Sequence, residues 1–276
     1  MSLLQAVVLA VIQGFTEFLP ISSSAHLALA PWLFGWPDQG LSFDIALHLG
    51  TLAAVLLYFA RDWIQVIAQG LGLQAGSDPH LKRNPRLLWY IVLGTIPVGV
   101  CGLLLQKAAE TKLRNPLVIA GMLIGVGILM AAAERAARAD RNIGGLTLAD
   151  ALVIGFAQAL AIVPGTSRSG ITITAALFRG LDHHAAARFS FLLSTPAIAA
   201  AAAKDIFDLL LAGGVPPQVR GPIAIGIVVS GVTGLLVIRF FLRYLRTRGL
   251  TFFVYYRIVF GIIVIALALF FRYPGR

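Results

Sequence analysis

The chain has 276 residues, of which 58% are hydrophobic and only 12% charged, with a formal charge of +10. An ordinary soluble domain is about one-quarter charged, so that class is excluded. Apolar runs near the roughly 20 residues needed to cross a bilayer, without the alternation of barrel strands, predict an all-α polytopic membrane protein. The basic excess then belongs first to loops facing anionic lipid, and nucleic acid is not an expected partner. Residues 1–12 carry no basic n-region, so no cleavable signal peptide is read. The single Cys101 lies in an apolar run and is read as an inert packing residue.

Residues 1–30 begin apolar and are then interrupted by Gln13, Thr16, Glu17, Pro20, Ser22, Ser23, Ser24 and His26. A stretch broken midway by Pro and Ser suits a re-entrant helical hairpin better than one straight span, with the irregular backbone held inside protein or a wet cavity. Residues 43–60 form a first clean span that ends at Arg61-Asp62, with Asp44 near its helix N-terminus. Its His48 is read as a packing or hydrogen-bonded residue. Residues 61–87 read as a loop rich in Gly and basic residues. A second span covers about 88–105, followed by a charged turn from Lys107 to Arg114. A third covers about 116–134, with Gly121 and Gly125 at the GxxxG spacing of a close helix-packing face.

The second half repeats this plan. Residues 149–178 are apolar but broken by Pro164-Gly165-Thr166-Ser167-Arg168-Ser169-Gly170, again as in a re-entrant hairpin, and spans follow at about 186–203, 222–242 and 252–271. Gln13 and Pro20 are matched by Gln158 and Pro164, and Phe43 by Phe189. The chain therefore reads as a single integral-membrane domain over 1–276, with one repeat at about 1–141 and the other at about 149–276. Three spans per repeat is an odd number, so the second repeat sits upside down. Inverted repeats of this kind place a site near the midplane, where broken helices from both halves meet. The loops at 61–87, 135–148, 179–188 and 239–250 hold thirteen Lys and Arg, and those on the other side hold seven. The positive-inside rule puts the first set in the cytoplasm, both termini outside, and the mouth of the first hairpin outward. Arg257 falls inside the last span, where pairing and snorkelling both remain open.

Polar residues this deep are costly and mark function. Arg168 presents a planar fork suited to phosphate oxygens, and the glycines beside it let backbone N–H groups approach an anion. Ser22, Gly165, Ser167, Ser169 and Thr172 are the further candidate phosphate ligands. A helix starting after the second turn would aim its positive end at the same anion. Glu17 and Gln13, four residues apart on one helical face, offer oxygens to a hard cation, Mg2+ or Ca2+. Ser23 and His26 lie within one turn, so a Ser nucleophile with a His base is one scheme, and attack by His26 or by water are the others. The inventory suits phosphoryl transfer, with Glu17, Ser23, His26 and Arg168 as the catalytic candidates.

Gln13-Gly14-Phe15-Thr16-Glu17-Phe18-Leu19-Pro20-Ile21-Ser22-Ser23-Ser24-Ala25-His26 and Pro164-Gly165-Thr166-Ser167-Arg168-Ser169-Gly170-Ile171-Thr172 resemble the two signatures of the bacterial undecaprenyl-pyrophosphate phosphatases of the bacitracin-resistance type. The resemblance covers essentially the whole chain. It implies removal of the terminal phosphate of a polyprenyl pyrophosphate at the outer, periplasmic face of the bacterial inner membrane. That reaction recycles the lipid carrier for cell-wall synthesis. It further implies an inverted-repeat fold of six transmembrane helices and two re-entrant hairpins, and dependence on a divalent cation. Glu17, Ser23, His26, Ser167 and Arg168 match the family's functional residues, whereas Gln13 stands where many members have Glu. The expected partners are the polyprenyl pyrophosphate and membrane lipids, with a homodimer as an open assembly. A flippase for polyprenyl phosphate lipids is the alternative function, since a phosphate-binding midplane would serve that role too.

Overall fold

The computed structural model describes residues 2–37, 41–110, 113, 115–138, 140–211, 213–214 and 217–270. The end of the charged turn at Arg114 and the C-terminal Arg276 lie outside the described residues. Within them the chain is helical, and the one β-type pairing is an isolated bridge between Arg141 and Leu181.

Ser2 starts α1 (Leu3–Thr16) with a capping box to Gln5, which satisfies two free N–H groups of the first turn. The chain breaks after Glu17, turns through Pro20 and resumes as α2 (Ser23–Phe34). A second hairpin follows the same plan. Thr147 forms a capping box with Asp150 and starts α8 (Leu148–Ala159), the chain turns through Pro164, and α9 (Arg168–Phe178) begins at the arginine. Ser2 and Thr147, Gln13 and Gln158, and Ser22 and Ser167 each stand 145 residues apart. Ser22 (φ 76°) and Ser167 (φ 68°) are the two described non-glycine residues with positive φ.

Between and after the hairpins run α3 (Leu41–Tyr58), α4 (Ala60–Gly70), α5 (Pro79–Lys82), α6 (Leu87–Glu110), α7 (Pro116–Ala136), α10 (His183–Leu211), α11 (Arg220–Tyr244) and α12 (Thr251–Phe270). Five of these, α6, α7, α10, α11 and α12, are long and apolar enough to cross a membrane. A sixth arises if α3 and α4, bent by 71° at Phe59, count as one broken span. Outward-facing Leu103, Leu104, Val228, Leu236, Tyr255 and Ile262 are well exposed, as lipid-facing residues must be.

The first helix of each hairpin packs against a helix from the other half of the chain. Gly14 of α1 meets α11 so closely that a Cβ there would lie 2.6 Å from the Ser230 carbonyl oxygen. Gly155 of α8 lies against the Gly94 backbone of α6 in the same way. α3 also packs on α11, and α7 on α12. Below the first turn an aromatic core joins Phe18, Phe59, Phe191, Phe241 and Phe253, with Phe18 edge-on to Phe191 at 5.5 Å.

Two expectations need correction. Residues 61–87 are not all loop, because Ala60–Gly70 is an amphipathic helix that buries Gln65 and Val66 and exposes Ile64 and Ile67. The charge at Arg61-Asp62 ends the apolar run without ending the helical periodicity. Gly121 and Gly125 are not at a helix contact, since a Cβ at either would meet nothing within 4 Å. The close approach of α7 and α12 is made instead at Gly127 and at Gly261, where a Cβ would lie 2.6 Å from the Ile124 side chain.

One end of the bundle is tied by ion pairs. Asp150, fully buried, is held by Arg141 and Arg179, each at 2.7 Å. Arg188 bridges Asp62 at 2.7 Å and Asp78 at 3.0 Å, and Glu134 meets His183 at 2.9 Å. The mouth of the second hairpin therefore sits among the basic loops at this end.

Candidate active site at the two hairpin turns

The turns of the two hairpins meet inside the bundle. Ser169 Oγ donates to the Leu19 carbonyl at 3.0 Å, and the Gly165 N–H donates to Ser24 Oγ at 3.3 Å. Gly165 (φ 94°) has its Cα against the Ile119 backbone of α7, where any side chain would collide. The positive φ of Ser22 and Ser167 is a strained state for non-glycine residues, of order 1–3 kcal/mol each, that persists where the surroundings over-determine it. What it achieves is local. α2 and α9 both start immediately after the turn, so both helix N-termini lie at the junction. Ser167 caps α9 through a bond from the Gly170 N–H at 3.1 Å, whereas no side chain caps α2. The first-turn N–H groups of α2 are therefore free for an anion.

Arg257, which sequence reasoning left undecided, is the residue that joins the turns. Its side chain is fully buried in α12, and its three nitrogens reach five carbonyls. Nε donates to Leu123 at 3.1 Å and Nη1 to Pro20 at 3.1 Å, while Nη2 meets Met122, Gly165 and Thr166 at 3.0–3.2 Å. It does not snorkel, and among the described residues it pairs with no carboxylate. The signal was present as an arginine in the middle of an apolar 20-residue helix. Its partners lie up to 237 residues away and could not be read from the letters.

The polar side chains divide into two groups. In the first, Ser23 Oγ donates to Glu17 Oε2 at 2.5 Å, and Gln13 Nε2 donates to the same oxygen at 3.2 Å. Glu17 and Gln13 are both buried, and Gln13 Oε1 has no partner. Arg168 and His48 are the basic side chains near enough to act electrostatically on Glu17. His48, read from sequence as a packing or hydrogen-bonded residue, is hydrogen-bonded, its Nδ1 donating to the Asp44 carbonyl at 2.9 Å, and it lies near the site. Among the described residues the buried Arg168 Nη1 has no hydrogen-bond partner, and its guanidinium is near enough to act electrostatically on Glu17.

In the second group, His26 Nδ1 lies 2.7 Å from the Ser22 carbonyl and Nε2 lies 2.6 Å from the Tyr256 hydroxyl. A carbonyl only accepts, so Nδ1 carries the proton, and in the neutral ring Nε2 accepts from Tyr256. The ring stacks on Phe260 at 4.6 Å. The bonds thus join Ser23 to Glu17 and His26 to Tyr256, and the expected Ser23–His26 pair is not formed. Tyr256 escaped the sequence reading because nothing local to α12 connects it with residue 26.

The second signature contributes unevenly. Ser167 and Ser169 are buried and bonded to each other at 3.3 Å, and Ser22 meets Ser24 at 3.2 Å. Thr172 turns away from the junction, with its hydroxyl shared between the Arg168 carbonyl at 2.7 Å and Ser190 Oγ at 2.6 Å. Its place is in the α9–α10 contact.

Long apolar helices define a multi-pass membrane protein, and they enclose a buried junction of a carboxylate, a hydroxyl and a guanidinium. Residues 6–263 match the family described as bacitracin resistance protein BacA, and the chain belongs to that family. It is 46% identical to the undecaprenyl-diphosphatase of Moorella thermoacetica over 96% of this chain and 98% of that one. The undecaprenyl-diphosphatase of Pelotomaculum thermopropionicum is also 46% identical, over 97% of each chain. That of Thioalkalivibrio sulfidiphilus is 47% identical over 95% of this chain and 97% of its own.

Proposed function

We propose that this chain is an undecaprenyl-diphosphatase, which cleaves the terminal phosphate from a polyprenyl pyrophosphate and returns the monophosphate carrier to cell-wall synthesis. The observation that carries the reading is the Ser23–Glu17 bond at 2.5 Å beside the unpartnered Nη1 of Arg168. It supplies a hydroxyl, a base and an anion donor in one buried place. Arg168 and the free N–H groups of α2 hold the terminal phosphate. Ser23 Oγ attacks phosphorus and passes its proton to Glu17. The bridging P–O bond breaks, and the polyprenyl phosphate leaves with the electron pair. That proton passes from Glu17 to the departing phosphate oxygen. Water then attacks the phosphorus of the phosphoserine and gives a proton to the freed Glu17 carboxylate. The P–O bond to Ser23 breaks as Oγ takes that proton back, and inorganic phosphate leaves. Preorganised donors that meet developing charge in a dry site supply most of such an acceleration.

A divalent cation, Mg2+ or Ca2+, fits this donor set only in part. Among the described residues no group of three His, Cys, Asp or Glu side chains converges on one point. Glu17 and the orphaned Gln13 Oε1 would be its protein ligands, and substrate oxygens would complete the shell, as is common for Mg2+. When bound, the ion would neutralise charge on the diphosphate.

The fold reading that goes with this function is an inverted repeat of six spans and two re-entrant hairpins in the bacterial inner membrane. The two capping boxes, the two strained serines and the exchange of packing partners between the halves support it. The site then opens to the outer face through the first hairpin. A flippase is not favoured, because the relatives are named as diphosphatases and a carrier has no need of a serine bonded to a carboxylate. Purified protein in detergent, where no second leaflet exists, should release phosphate from undecaprenyl pyrophosphate, and Ser23→Ala should abolish release. Absence of release from folded wild-type protein would overturn the enzyme reading.

A further inference from the structure

Gln158 of α8 is fully buried, and among the described residues neither atom of its side-chain amide has a hydrogen-bond partner. A buried polar group left in that state is destabilising, and native structures rarely keep one unless a ligand or an ordered water completes it. α8 is seated on the Gly94 backbone of α6 through Gly155, three residues before Gln158, and it also packs on α9. The amide is therefore enclosed, and no step described above uses it.

The first hairpin shows what a glutamine at this place faces. Gln13 Nε2 and Ser23 Oγ both donate to Glu17 Oε2. Residues 13, 17 and 23 correspond, 145 positions on, to Gln158, Ile162 and Arg168. The local geometry follows the letters, because α2 and α9 start at the matched Ser23 and Arg168, each preceded by a serine with positive φ. In the second hairpin a glutamine and an arginine thus flank the place where the first hairpin holds a carboxylate. Ile162 offers no polar atom there. Both flanking groups keep a buried donor unused, Nε2 of Gln158 and Nη1 of Arg168. The first hairpin carries its own anion, and the second has donors for one that must come from outside.

We infer that Gln158 is a further ligand of the phosphate group, an inference that rests on the diphosphatase reading. Its Nε2 donates to a non-bridging oxygen of the terminal phosphate beside Arg168 Nη1. The phosphate then takes, in the second hairpin, the place that the Glu17 carboxylate has in the first. Arg168 is also near Glu17, and the turns touch through Ser169 and Leu19, so a phosphate held there adjoins Ser23. The acceptor Oε1 adds a selection. A sulfate or a fully ionised phosphate offers only acceptors, whereas a phosphate that carries a proton has an O–H to donate. The hydrolytic water gives one proton to Glu17 and brings the other to phosphorus as P–OH, so the product carries such a proton. The amide, with one donor and one acceptor, is therefore matched to hydrogen phosphate and mismatched to sulfate.

The test reads the thermal midpoint of the full-length protein in detergent, with inorganic phosphate or sulfate as the probe at equal ionic strength. Saturating phosphate should raise the wild-type midpoint by about 3 °C or more, and sulfate by under about 1 °C. Gln158→Met, similar in volume and without an amide, should keep or raise the midpoint in the absence of phosphate, because an orphaned group has gone. It should lose most of the phosphate gain, and its kcat/KM for undecaprenyl pyrophosphate should fall about tenfold or more. A phosphate gain of wild-type size in that variant overturns the inference, and equal gains from phosphate and sulfate in wild type overturn the role of Oε1. Should Gln158→Met fail to fold, Gln158→Asn keeps the amide and withdraws it by one carbon. It should show the same loss, and a retained gain there overturns the inference. If wild-type protein hydrolyses no prenyl pyrophosphate yet phosphate stabilises it through Gln158, the function has failed and the phosphate site stands.

Discussion

Arg168 contributes a donor that has no protein partner, so its worth lies in the substrate complex. Arg168→Lys keeps the charge and loses the fork, and it should lower phosphate release on the order of a hundredfold, the usual cost of removing one preorganised donor. Near-normal turnover in that variant would leave Arg168 a structural role only. This residue was legible in the letters because a charge in an apolar run is costly and must be explained. The pairing of Ser23 was not legible. Residues 23 and 26 are three apart and on a helix would face each other, but Ser23 is the first residue of α2 and turns back to Glu17, while His26 Nδ1 is claimed by the Ser22 carbonyl. With Glu17 as base, a rapid quench should trap an acid-stable, alkali-labile phosphate on Ser23, and Glu17→Gln should slow its formation by about a hundredfold or more. An acid-labile label on His26 would replace this scheme with histidine attack, and no label would favour attack by water. Gln13 supplies a neutral oxygen where a carboxylate would bring charge. Gln13→Glu should therefore lower the half-saturating Mg2+ concentration several-fold while activity is kept. An unchanged metal dependence would mean that residue 13 does not face the ion.

At the level of elements, the two hairpins stand or fall with one side chain from α12. Arg257 donates to Pro20 in the first turn and to Gly165 and Thr166 in the second, as well as to Leu123 and Met122 of α7. Buried carbonyls that lose their donor cost about 1–3 kcal/mol each, and more than one must be stranded when the guanidinium is removed. Arg257→Gln should lower stability in detergent by roughly 4 kcal/mol or more on that principle, with activity lost as the turns separate. Arg257→Lys should recover only part, since an ammonium has three donors for five acceptors. Thermal midpoints for both variants within about 2 °C of wild type would contradict this role. The hairpins themselves could be read from Pro, Gly and Ser interrupting apolar runs, and their boundaries were close to those found. The helix α4 was missed for the opposite reason, because its signal is the alternation of Trp63, Ile64, Val66 and Ile67 with polar residues, which a search for uninterrupted apolar runs passes over.

Across the whole molecule, the loops richest in Lys and Arg gather at one end. Residues 61–87, 135–148 and 179–188 are bound together there by Arg141–Asp150, Arg179–Asp150, Arg188–Asp62 and Arg188–Asp78. The α11–α12 connection joins them, because the Leu250 N–H donates to Glu134, which also holds His183. A set of loops that share ion pairs must lie on one side of the membrane, so their basic residues act together in setting orientation. Translocating thirteen cations costs more than translocating seven, so we predict that this end stays in the cytoplasm. The same prediction has the first hairpin, whose mouth lies at the opposite end, facing outward. Replacing Cys101 and placing single cysteines at Ser77 and at Ser2 makes the orientation measurable in intact cells. A membrane-impermeant maleimide should react with residue 2 once the outer barrier is opened, and with residue 77 only after the inner membrane is broken. Labelling of residue 77 from outside would invert the molecule, and the second hairpin would then carry the outward mouth.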